Sequence, residues 1–315
     1  MYKKFICFLC CFIPSISYGD DLVTRAEQVF DATRIVCSGI SDEISKVSNV
    51  SKINTAVTGV GTIAAGGALV AGIKKSQEEE EIDKLVASIC EAGGCTAEGV
   101  ESMSNEDFFN NVIQPMAEIA ELQERLEKSK KLGNWRTGLM AGTIGTNVAS
   151  AIISGINRDQ SELIQHIQAC NIAIQSANDV FKQLKSESIN PMENPIVKKL
   201  DDIKTWCNSI NVSDIEKIEK RMTGVMGTSI AGAVIGVAGT ATSASANSDK
   251  YMNEQNRIGL SDQDKRKKDN LNTAANVMAG ANVATGLVET GLNISLITLT
   301  KKLIKQVEWC EEVFK

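Results

Sequence analysis

Few residues of this chain are of the types that carry enzyme chemistry. His166 is the only histidine, and no acid or nucleophile stands near it at a spacing typical of a general base or a metal ligand. We therefore predict no catalytic residue, no metal ligand and no cofactor, and we interpret His166 as a residue flanking a helix seam. Carboxylate-only chemistry is the one enzymatic alternative that the composition leaves open.

One short motif resembles a nucleotide-binding loop. Gly59-Val-Gly61-Thr-Ile-Ala64 matches the G-x-G-x-x-A fingerprint of dinucleotide-binding folds, but that fingerprint requires a preceding strand and a βαβ unit. A polar helical stretch precedes it here, and similar runs of small residues recur three more times without the motif. Close packing of helices explains all four runs, so we do not expect a nucleotide site.

The cysteines predict disulfides. Six cysteines follow residue 19: Cys37, Cys90, Cys95, Cys170, Cys207 and Cys310. An even number in an exported chain favours disulfide bonds over free thiols. Cys90-Glu-Ala-Gly-Gly-Cys95 is neither a redox CxxC nor a zinc site, and its two glycines favour a local disulfide.

The other four cysteines lie on apolar helix seams. Apolar residues advance by three and four around each of them: Cys37 with Ile40, Ile44 and Val47; Cys170 with Leu163, Ile167, Ile174, Ala177, Phe181 and Leu184; Cys207 with Leu200, Ile203 and Ile210; Cys310 with Leu303, Val307 and Phe314. Similar chain distances to the flanking uncharged segments favour the pairs Cys37–Cys170 and Cys207–Cys310.

Four long segments lack charge and are rich in Gly, Ala, Ser and Thr. They are residues 53–73, 137–157, 222–248 and 270–299, of which only the last holds a charged residue, Glu289. Thr58–Ala64 resembles Thr223–Ala231, and Met140-Ala-Gly142 resembles Met278-Ala-Gly280. The order cysteine, uncharged segment, polar tip, uncharged segment, cysteine therefore occurs twice.

This duplication predicts an all-α fold of two similar long antiparallel helical hairpins, arranged as a four-helix bundle. Residues 20–185 form the first hairpin, with an enlarged polar tip over 74–136, and residues 196–315 form the second. The linker is 186–195, which holds two prolines. Residues 1–19 have the basic start, short apolar core and small residues of a signal peptide.

Charge runs at the tips have ordinary explanations. Glu78–Glu81 suits the N-terminus of a helix, with its side chains in solvent. Lys265–Lys268 is too short for a polybasic lipid-binding motif and reads as a solvated helix surface. The net charge of −6 argues against a nucleic-acid partner, and no site for a small-molecule substrate is evident.

The uncharged segments carry the functional hypothesis. Small residues let membrane helices approach closely, and each segment has the length that spans a hydrocarbon core. We assign close helix packing to ten glycines: Gly59, Gly61, Gly66, Gly138, Gly142, Gly224, Gly227, Gly232, Gly280 and Gly286. The sequence thus predicts an exported, non-enzymatic protein of the cell envelope that contacts membrane lipid, in a structural or pore-like role.

Two alternatives stay open. A soluble, disulfide-stapled helical rod would act as a spacer or as a module that binds itself or another envelope protein. A chain that inserts conditionally, as helical pore-forming proteins do, would look the same in sequence. Charged outer faces are expected of a soluble bundle, and the four segments offer none.

Overall fold

The chain is all-α. The structure, a computed structural model, describes residues 20–91, 114–187, 194–207, 211–253, 257 and 260–315. Within these ranges the secondary structure is helical without a strand, as the sequence predicts. The helices are α1 (Asp20–Cys37), α2 (Ile40–Glu91), α3 (Gln114–Ile156), α4 (Ser161–Glu187), α5 (Pro195–Trp206), α6 (Val212–Ala246), α7 (Asp249–Met252) and α8 (Asp262–Glu312).

The two hairpins are antiparallel helix pairs. The first hairpin consists of α2 and α3, and the second consists of α6 and α8. The linker is shorter than expected, because α4 continues to Glu187 and α5 begins at Pro195. Proline suits this first position of a helix, and the Asn194 side chain caps the helix by accepting a hydrogen bond of 3.0 Å from the Ile196 amide.

A helix break that the sequence analysis missed separates Cys37 from Ile40. Gly39 has a φ of +82°, which is a left-handed conformation that glycine adopts without strain. Helix α1 therefore ends at Cys37 and α2 begins at Ile40, so the predicted seam from Cys37 to Val47 belongs to two helices. The helix of Cys207 also ends early, at Trp206, and Ile210 lies outside the described residues.

The chain folds into two compact units, and each hairpin contributes residues to both. One unit, here called the disulfide unit, comprises residues 20–49, 159–219 and 297–315 of the described chain. The other, the bundle unit, comprises the described residues of 50–158 and 220–296. The two hairpins are thus repeats along the chain, and each contributes to both units.

The disulfide unit has an apolar core. Helix α1 packs against α4 and α5, and aliphatic, aromatic and cystine side chains fill the interior. Its most buried members include Ile40, Ile44, Ile167, Cys170, Phe181, Leu200, Ile203, Cys207, Ile215, Leu303 and Cys310. Removing such side chains from water supplies the main driving force for folding.

The bundle unit consists of four helices in side-by-side contact. Its buried positions recur at alternating intervals of three and four residues, which place them on one face of each helix. On α2 this face runs from Ser51 through Asn54, Thr58 and Ala65 to Ile89. At its tip end, α2 and α3 share a small apolar cluster of Ile82, Val86, Ile89, Leu122 and Leu126.

Some predictions fall outside the described residues. They are the signal peptide over 1–19, the Gly93-Gly94 helix stop, the cap at Ser104–Asp107, and the pairing of Cys90 with Cys95.

Candidate functional site: a polar interior inside an apolar surface

The four uncharged segments meet in the bundle unit and bury small and polar side chains. The buried polar residues of these segments include Asn54, Thr58, Thr143, Asn147, Ser150, Ser154, Ser229, Ser243, Asn272, Asn282, Glu289 and Asn293. Alanines such as Ala68 and Ala279 fill most of the remaining interior, together with Met140. The core of this unit is therefore far more polar than that of an ordinary soluble bundle.

The outer surface of the same segments is apolar. Fifteen large aliphatic side chains are exposed: Ile53, Val60, Ile63, Val70, Ile73, Val148, Ile152, Ile156, Ile230, Val234, Val237, Val277, Leu287, Val288 and Ile294. The exposed fraction reaches 77% at Ile63 and 64% at Val234. The apolar and polar positions are thus the reverse of those expected for a helix in water.

Energetics make this reversal costly in water. Burying one large aliphatic side chain is worth about 1.5–3 kcal/mol, so fifteen half-exposed ones forgo on the order of 10–20 kcal/mol. That is comparable with the whole free energy of unfolding of a typical domain. Four helical stretches in the described chain are long and apolar enough to cross a membrane: Leu22–Ile89, Glu118–Ser186, Val212–Ala246 and Asp262–Glu312.

Glu289 is the one ionisable residue of the four segments, and it lies in the interior. Its exposed fraction is 1%. The Thr58 hydroxyl lies 2.9 Å from Glu289 Oε1, and the Ser150 hydroxyl also contacts this oxygen. Ser229 completes the layer, with its hydroxyl 3.0 Å from Ser150 Oγ. Each of the four helices therefore contributes one side chain to the layer around the carboxyl group.

Amide side chains occupy the neighbouring layers. Asn54 Nδ2 donates to Ser154 Oγ at 2.9 Å and lies 3.4 Å from Asn293 Oδ1. Further along the bundle, Asn282 Nδ2 donates to Thr143 Oγ1 at 3.2 Å. Interhelical hydrogen bonds of this kind hold membrane helices together where water is absent.

The predicted glycines divide into two groups. A Cβ added at Gly61, Gly232 or Gly286 would lie within 2.5 Å of a side chain on another helix, and one at Gly224 would lie 3.3 Å from Leu292. At the first three positions an added Cβ would displace the neighbouring side chain. At the other six an added Cβ meets nothing within 4 Å, so no contact described within this chain depends on glycine there: Gly59, Gly66, Gly138, Gly142, Gly227 and Gly280.

Packed glycines that the sequence analysis missed include Gly72, Gly133 and Gly236, where an added Cβ would come within 3.0 Å of another helix. The sequence contains a signal that distinguishes the two groups. Buried polar residues repeat at three and four, as in Thr143, Asn147, Ser150 and Ser154, and a packed glycine lies in phase with such a repeat.

The tip of the bundle unit holds a group of charges, here called the tip charge cluster, of which all but Asp83 are buried: Lys75, Glu79, Asp83, Arg257 and Lys268. Glu79 is at its centre. Its Oε1 accepts from Lys75 Nζ at 3.3 Å, and its Oε2 accepts from Lys268 Nζ at 2.6 Å. Arg257 Nη2 forms an ion pair with the same Oε2 at 3.0 Å. Asp83 also contacts Arg257.

Hydrogen bonds extend the tip charge cluster. The Ser129 hydroxyl donates to Glu79 Oε1 at 2.7 Å, and Lys75 Nζ lies 3.3 Å from Asn272 Oδ1. The buried Arg136 guanidinium donates to the same amide oxygen at 3.1 Å and to Ser243 at 2.8 Å. One buried carboxylate of α2 thus contacts α8 through Lys268, α3 through Ser129, and the Arg257 guanidinium.

These surroundings shift two pKa values. Burial by itself raises the pKa of the Glu79 carboxyl, but the charges of Lys75, Lys268 and Arg257 lower it further than burial raises it, and the pKa falls to about 2. Burial lowers the pKa of the Lys75 ammonium to about 8, although Glu79 opposes this effect. Glu79 is therefore an anion at every physiological pH.

Two predictions about charge runs are wrong. Glu78–Glu81 lies inside α2 rather than at a helix N-terminus, and Glu79 is buried rather than solvated. Lys265–Lys268 does not lie wholly in solvent, because the Lys268 side chain is fully buried. In both runs the burial arises from opposite charges that are distant in sequence, which a local pattern does not reveal.

The disulfide unit contains both disulfides that the sequence predicts, Cys37–Cys170 and Cys207–Cys310. Trp206 and Trp309, each next to a cysteine of the second bond, form an edge-to-face pair with ring centroids 6.2 Å apart. Disulfides of this kind are typical of an oxidising compartment.

His166 lies beside the first disulfide and contacts backbone and carboxylate. Its Nε2 is 2.8 Å from the Val36 carbonyl oxygen, and its Nδ1 is 3.2 Å from Glu43 Oε1. These contacts hold the end of α1 next to the start of α2, on either side of the Gly39 turn. The imidazole is thus a structural link in this unit.

Gly59–Ala64 lies within α2, so the described structure lacks the strand that a dinucleotide fingerprint requires. Among the described residues, no group of three or more His, Cys, Asp or Glu side chains is placed to hold a metal ion.

Comparison with known proteins gives no relative. No protein-family model matches the chain, and no curated protein or solved structure is significantly similar to it. The function has to be argued from the bundle unit itself.

Proposed function

We propose that the chain is an envelope membrane protein whose bundle unit spans a lipid bilayer with four helices. The observation that carries this proposal is the reversed distribution of polarity in the bundle unit, with aliphatic side chains outside and hydroxyl, amide and carboxyl groups inside. Lipid removes the cost of the exposed aliphatic surface and makes the internal hydrogen bonds necessary. The role is structural or pore-like and non-enzymatic.

The dimensions of the segments support the proposal. A helix of about 20 residues spans the hydrocarbon core of a bilayer, which is the length of the segments 53–73 and 137–157. Trp135 precedes the second segment by two residues and is 68% exposed. Tryptophan prefers the boundary between hydrocarbon and water, so Trp135 marks the tip-side boundary.

Chain topology and the disulfides suggest the orientation. Each hairpin crosses the bilayer twice, so residues 20–52 and 158–221 lie on the same side. Cys37–Cys170 and Cys207–Cys310 support an oxidising compartment for this side, and the signal peptide expected over 1–19 would deliver the chain to one. The polar tips then lie on the opposite side of the membrane.

A soluble rod is the alternative, and the disulfide unit on its own has the apolar core of a water-soluble domain. The soluble rod and the membrane protein differ in what surrounds the bundle unit, which is water in the first and lipid in the second. A water-soluble rod tolerates new charge on any exposed position, whereas a membrane-spanning unit does not.

The test combines extraction with a matched pair of substitutions. The full chain is expressed with its signal, and the membranes are washed with alkaline carbonate, which removes peripheral proteins. We expect the wild type to stay in the membrane pellet. Val234→Arg places a charge on the exposed face of the bundle unit at a cost of about 2.5–3.5 kcal/mol, and should shift the protein out of the pellet or cause its degradation.

The control is Ile172→Arg in the disulfide unit, where the replaced side chain is 56% exposed. A charge at a solvated position changes stability by about 0.5 kcal/mol or less, so this variant should fractionate like the wild type. A folded wild-type protein in the supernatant, joined there by a folded Val234→Arg variant, would refute the membrane proposal in favour of the rod.

A further inference from the structure

Buried cations outnumber buried carboxylates at the tip of the bundle unit. Glu79 is buried, but the other carboxylates near these cations, Asp83 and Asp269, have side chains that are 43% and 60% exposed. Positive charge therefore dominates the interior of the tip. The four largest fully buried side chains of the described chain are all cations: Arg136, Arg257, Lys75 and Lys268.

The pKa of Lys75 reflects this excess of positive charge. Burial lowers the pKa of its ammonium group to about 8, and the charges of Arg136 and Lys268 act in the same direction, against that of Glu79. Buried cations that face one another are costly unless an anion lies between them. The tip thus has the electrostatic character of an anion site.

The Arg257 guanidinium has donors to spare. Its Nη2 contacts Asp83 and forms an ion pair with Glu79 at 3.0 Å, whereas its Nε and Nη1 have no hydrogen-bond partner. The side chain is fully buried, and a buried N–H group without a partner is costly. Nε and Nη2 share the edge of the guanidinium that binds an oxyanion through two parallel hydrogen bonds.

The Asp83 carboxylate occupies the place of such an oxyanion. Its Oδ1 contacts Arg257 Nη2, and its Oδ2 lies 3.9 Å from Lys268 Nζ. Because the Asp83 side chain is 43% exposed, it can rotate into water and vacate this position while α2 stays folded. An anion that replaces it from the water side meets Nη2, the unpartnered Nε and the Lys268 ammonium group.

A phosphate group suits this position better than a carboxylate or a halide ion. It has an oxygen for each of the two donors on the Arg257 edge and a further oxygen for Lys268. It also carries more than one negative charge at neutral pH, which opposes the excess of buried cations. A carboxylate or a halide supplies a single charge and fewer acceptors.

The position of Asp83 along α2 favours a dissolved phosphate over a lipid headgroup. Asp83 lies ten residues beyond the uncharged segment 53–73, which corresponds to about 15 Å of helix. Headgroups extend only about 5–8 Å beyond the hydrocarbon core of a bilayer. This choice of source rests on the proposed function, whereas the anion site itself does not.

We propose that Arg257 and Lys268 form a binding site for a dissolved phosphate group, either inorganic phosphate or a phosphate monoester. Asp83 is the internal competitor that fills the site when phosphate is absent. Phosphate displaces the Asp83 side chain, accepts hydrogen bonds from Nε and Nη2 of Arg257, and pairs with the Lys268 ammonium group. The tip of the bundle unit thereby senses phosphate compounds on its side of the membrane.

The test measures binding of inorganic phosphate to the full chain in dodecyl maltoside micelles, by isothermal titration calorimetry at neutral pH. Asp83→Asn removes the competing charge and keeps the size of the side chain, so it should bind phosphate about tenfold more tightly than the wild type. Glu80→Gln is the matched control, because it removes the same charge from an exposed position of α2. It should bind phosphate like the wild type.

Thermal unfolding gives a second readout, which an ion-pair network without a ligand does not share. In sodium chloride, Asp83→Asn should unfold at a lower temperature than the wild type, because Arg257 loses a partner. Sodium phosphate at the same ionic strength should restore the unfolding temperature, since a ligand stabilises the state that binds it. An equal deficit in both salts, without heat of phosphate binding, would overturn the proposal.

The remaining arms address the site and the ligand. Arg257→Gln should lose the heat of phosphate binding; if this variant does not fold, Asp83→Asn still decides, because its expected effect is a gain. Chloride that stabilises Asp83→Asn as strongly as phosphate overturns the phosphate assignment. Binding of phosphatidylglycerol without binding of inorganic phosphate overturns the dissolved source. Carbonate extraction enters none of these measurements, so the phosphate site and the membrane-spanning bundle fail separately.

Discussion

The disulfide unit and the bundle unit share helices α2, α6 and α8, but they bury opposite kinds of side chain. In the disulfide unit the interior holds residues such as Ile167 and Phe181. In the bundle unit the interior holds residues such as Ser150 and Asn293, while Ile63 and Val234 face outward. Because helices α2, α6 and α8 contribute to both units, each of them buries apolar side chains in one part of its length and mainly small and polar ones in the other. The difference shows that helical periodicity alone does not tell whether the buried face of a helix is apolar or polar, and lipid around the bundle unit, as proposed above, accounts for the reversal.

The largest expected effect is that of a substitution in the tip charge cluster. Glu79→Ala removes the carboxylate that three buried cations share. Lys75 then loses its ion-pair partner, and Arg257 and Lys268 keep only the exposed carboxylates of Asp83 and Asp269. Breaking a buried ion pair in this way costs about 3–5 kcal/mol. Thermal unfolding in detergent micelles, followed by circular dichroism, should show the loss. Glu80→Ala is the neighbouring control, since Glu80 forms only an exposed pair with Lys84, worth about 0–1 kcal/mol.

The same carboxylate gives a pH dependence with a defined sign. The pKa of Glu79 falls from an ordinary 4.5 to about 2 in the folded protein, so its contribution to stability is complete above pH 4.5. It is lost as the pH falls towards 2, by about 3 kcal/mol in all. The difference in stability between the wild type and Glu79→Ala should narrow over this range. A constant difference would contradict the role of Glu79 as the shared anion.

A second pair of substitutions tests directly whether the two units bury opposite kinds of side chain. Ile167→Ala empties a fully buried position of the disulfide unit and should cost about 2–5 kcal/mol. Ile63→Ala shortens a side chain on the outer face of the bundle unit, where lipid or detergent fills the space, and should cost about 0.5 kcal/mol or less. Both are measured by thermal unfolding in detergent. Equal losses would mean that Ile63 packs against protein, and the reversed distribution of polarity would have to be abandoned.

The smallest expected effect compares two glycines of helix α8. An added Cβ at Gly286 would lie 2.3 Å from Thr62 Oγ1 and 3.5 Å from Thr62 Cα, whereas one at Gly280 meets nothing within 4 Å. We expect Gly286→Ala to destabilise the protein by about 1–3 kcal/mol. Gly280→Ala should be neutral or stabilising by up to about 1 kcal/mol, because alanine favours the helix. Unfolding temperatures in one detergent distinguish the two, and a destabilising Gly280→Ala would place that face in a contact.

The sequence was sufficient for what depends on local periodicity and on chain distance. The cysteine seams, the uncharged segments and the antiparallel hairpins all follow from spacing, and spacing alone paired Cys37 with Cys170 and Cys207 with Cys310. The helix break at Gly39 was missed because apolar residues keep the same spacing on both sides of it. Six of the ten glycines assigned to close packing make no such contact within the described chain, because they lie out of phase with the repeat of buried residues.

The charged interior could not be predicted for a different reason. Glu79 and Lys268 are 189 residues apart in sequence, and each lies in a run of like charge that is typical of a solvated surface. Only the packing of α2 against α8 shows that two runs of opposite sign neutralise each other. Glu289 stood out in the sequence as the one charged residue of the four segments, but its hydroxyl partners Thr58 and Ser150 come from helices whose rotation the sequence does not fix.

The two disulfides also determine the order in which the molecule can assemble. Cys37–Cys170 and Cys207–Cys310 join residues 133 and 103 positions apart, and each bond encloses one complete hairpin. Once closed, such a ring cannot be threaded through a narrow channel as a single extended strand, so the proposed export would have to precede oxidation. After oxidation, the proposed insertion of a hairpin into a bilayer would move both of its strands together. A protease that cuts within a tip opens the ring without releasing either half, so a nicked molecule keeps all of its helices covalently attached.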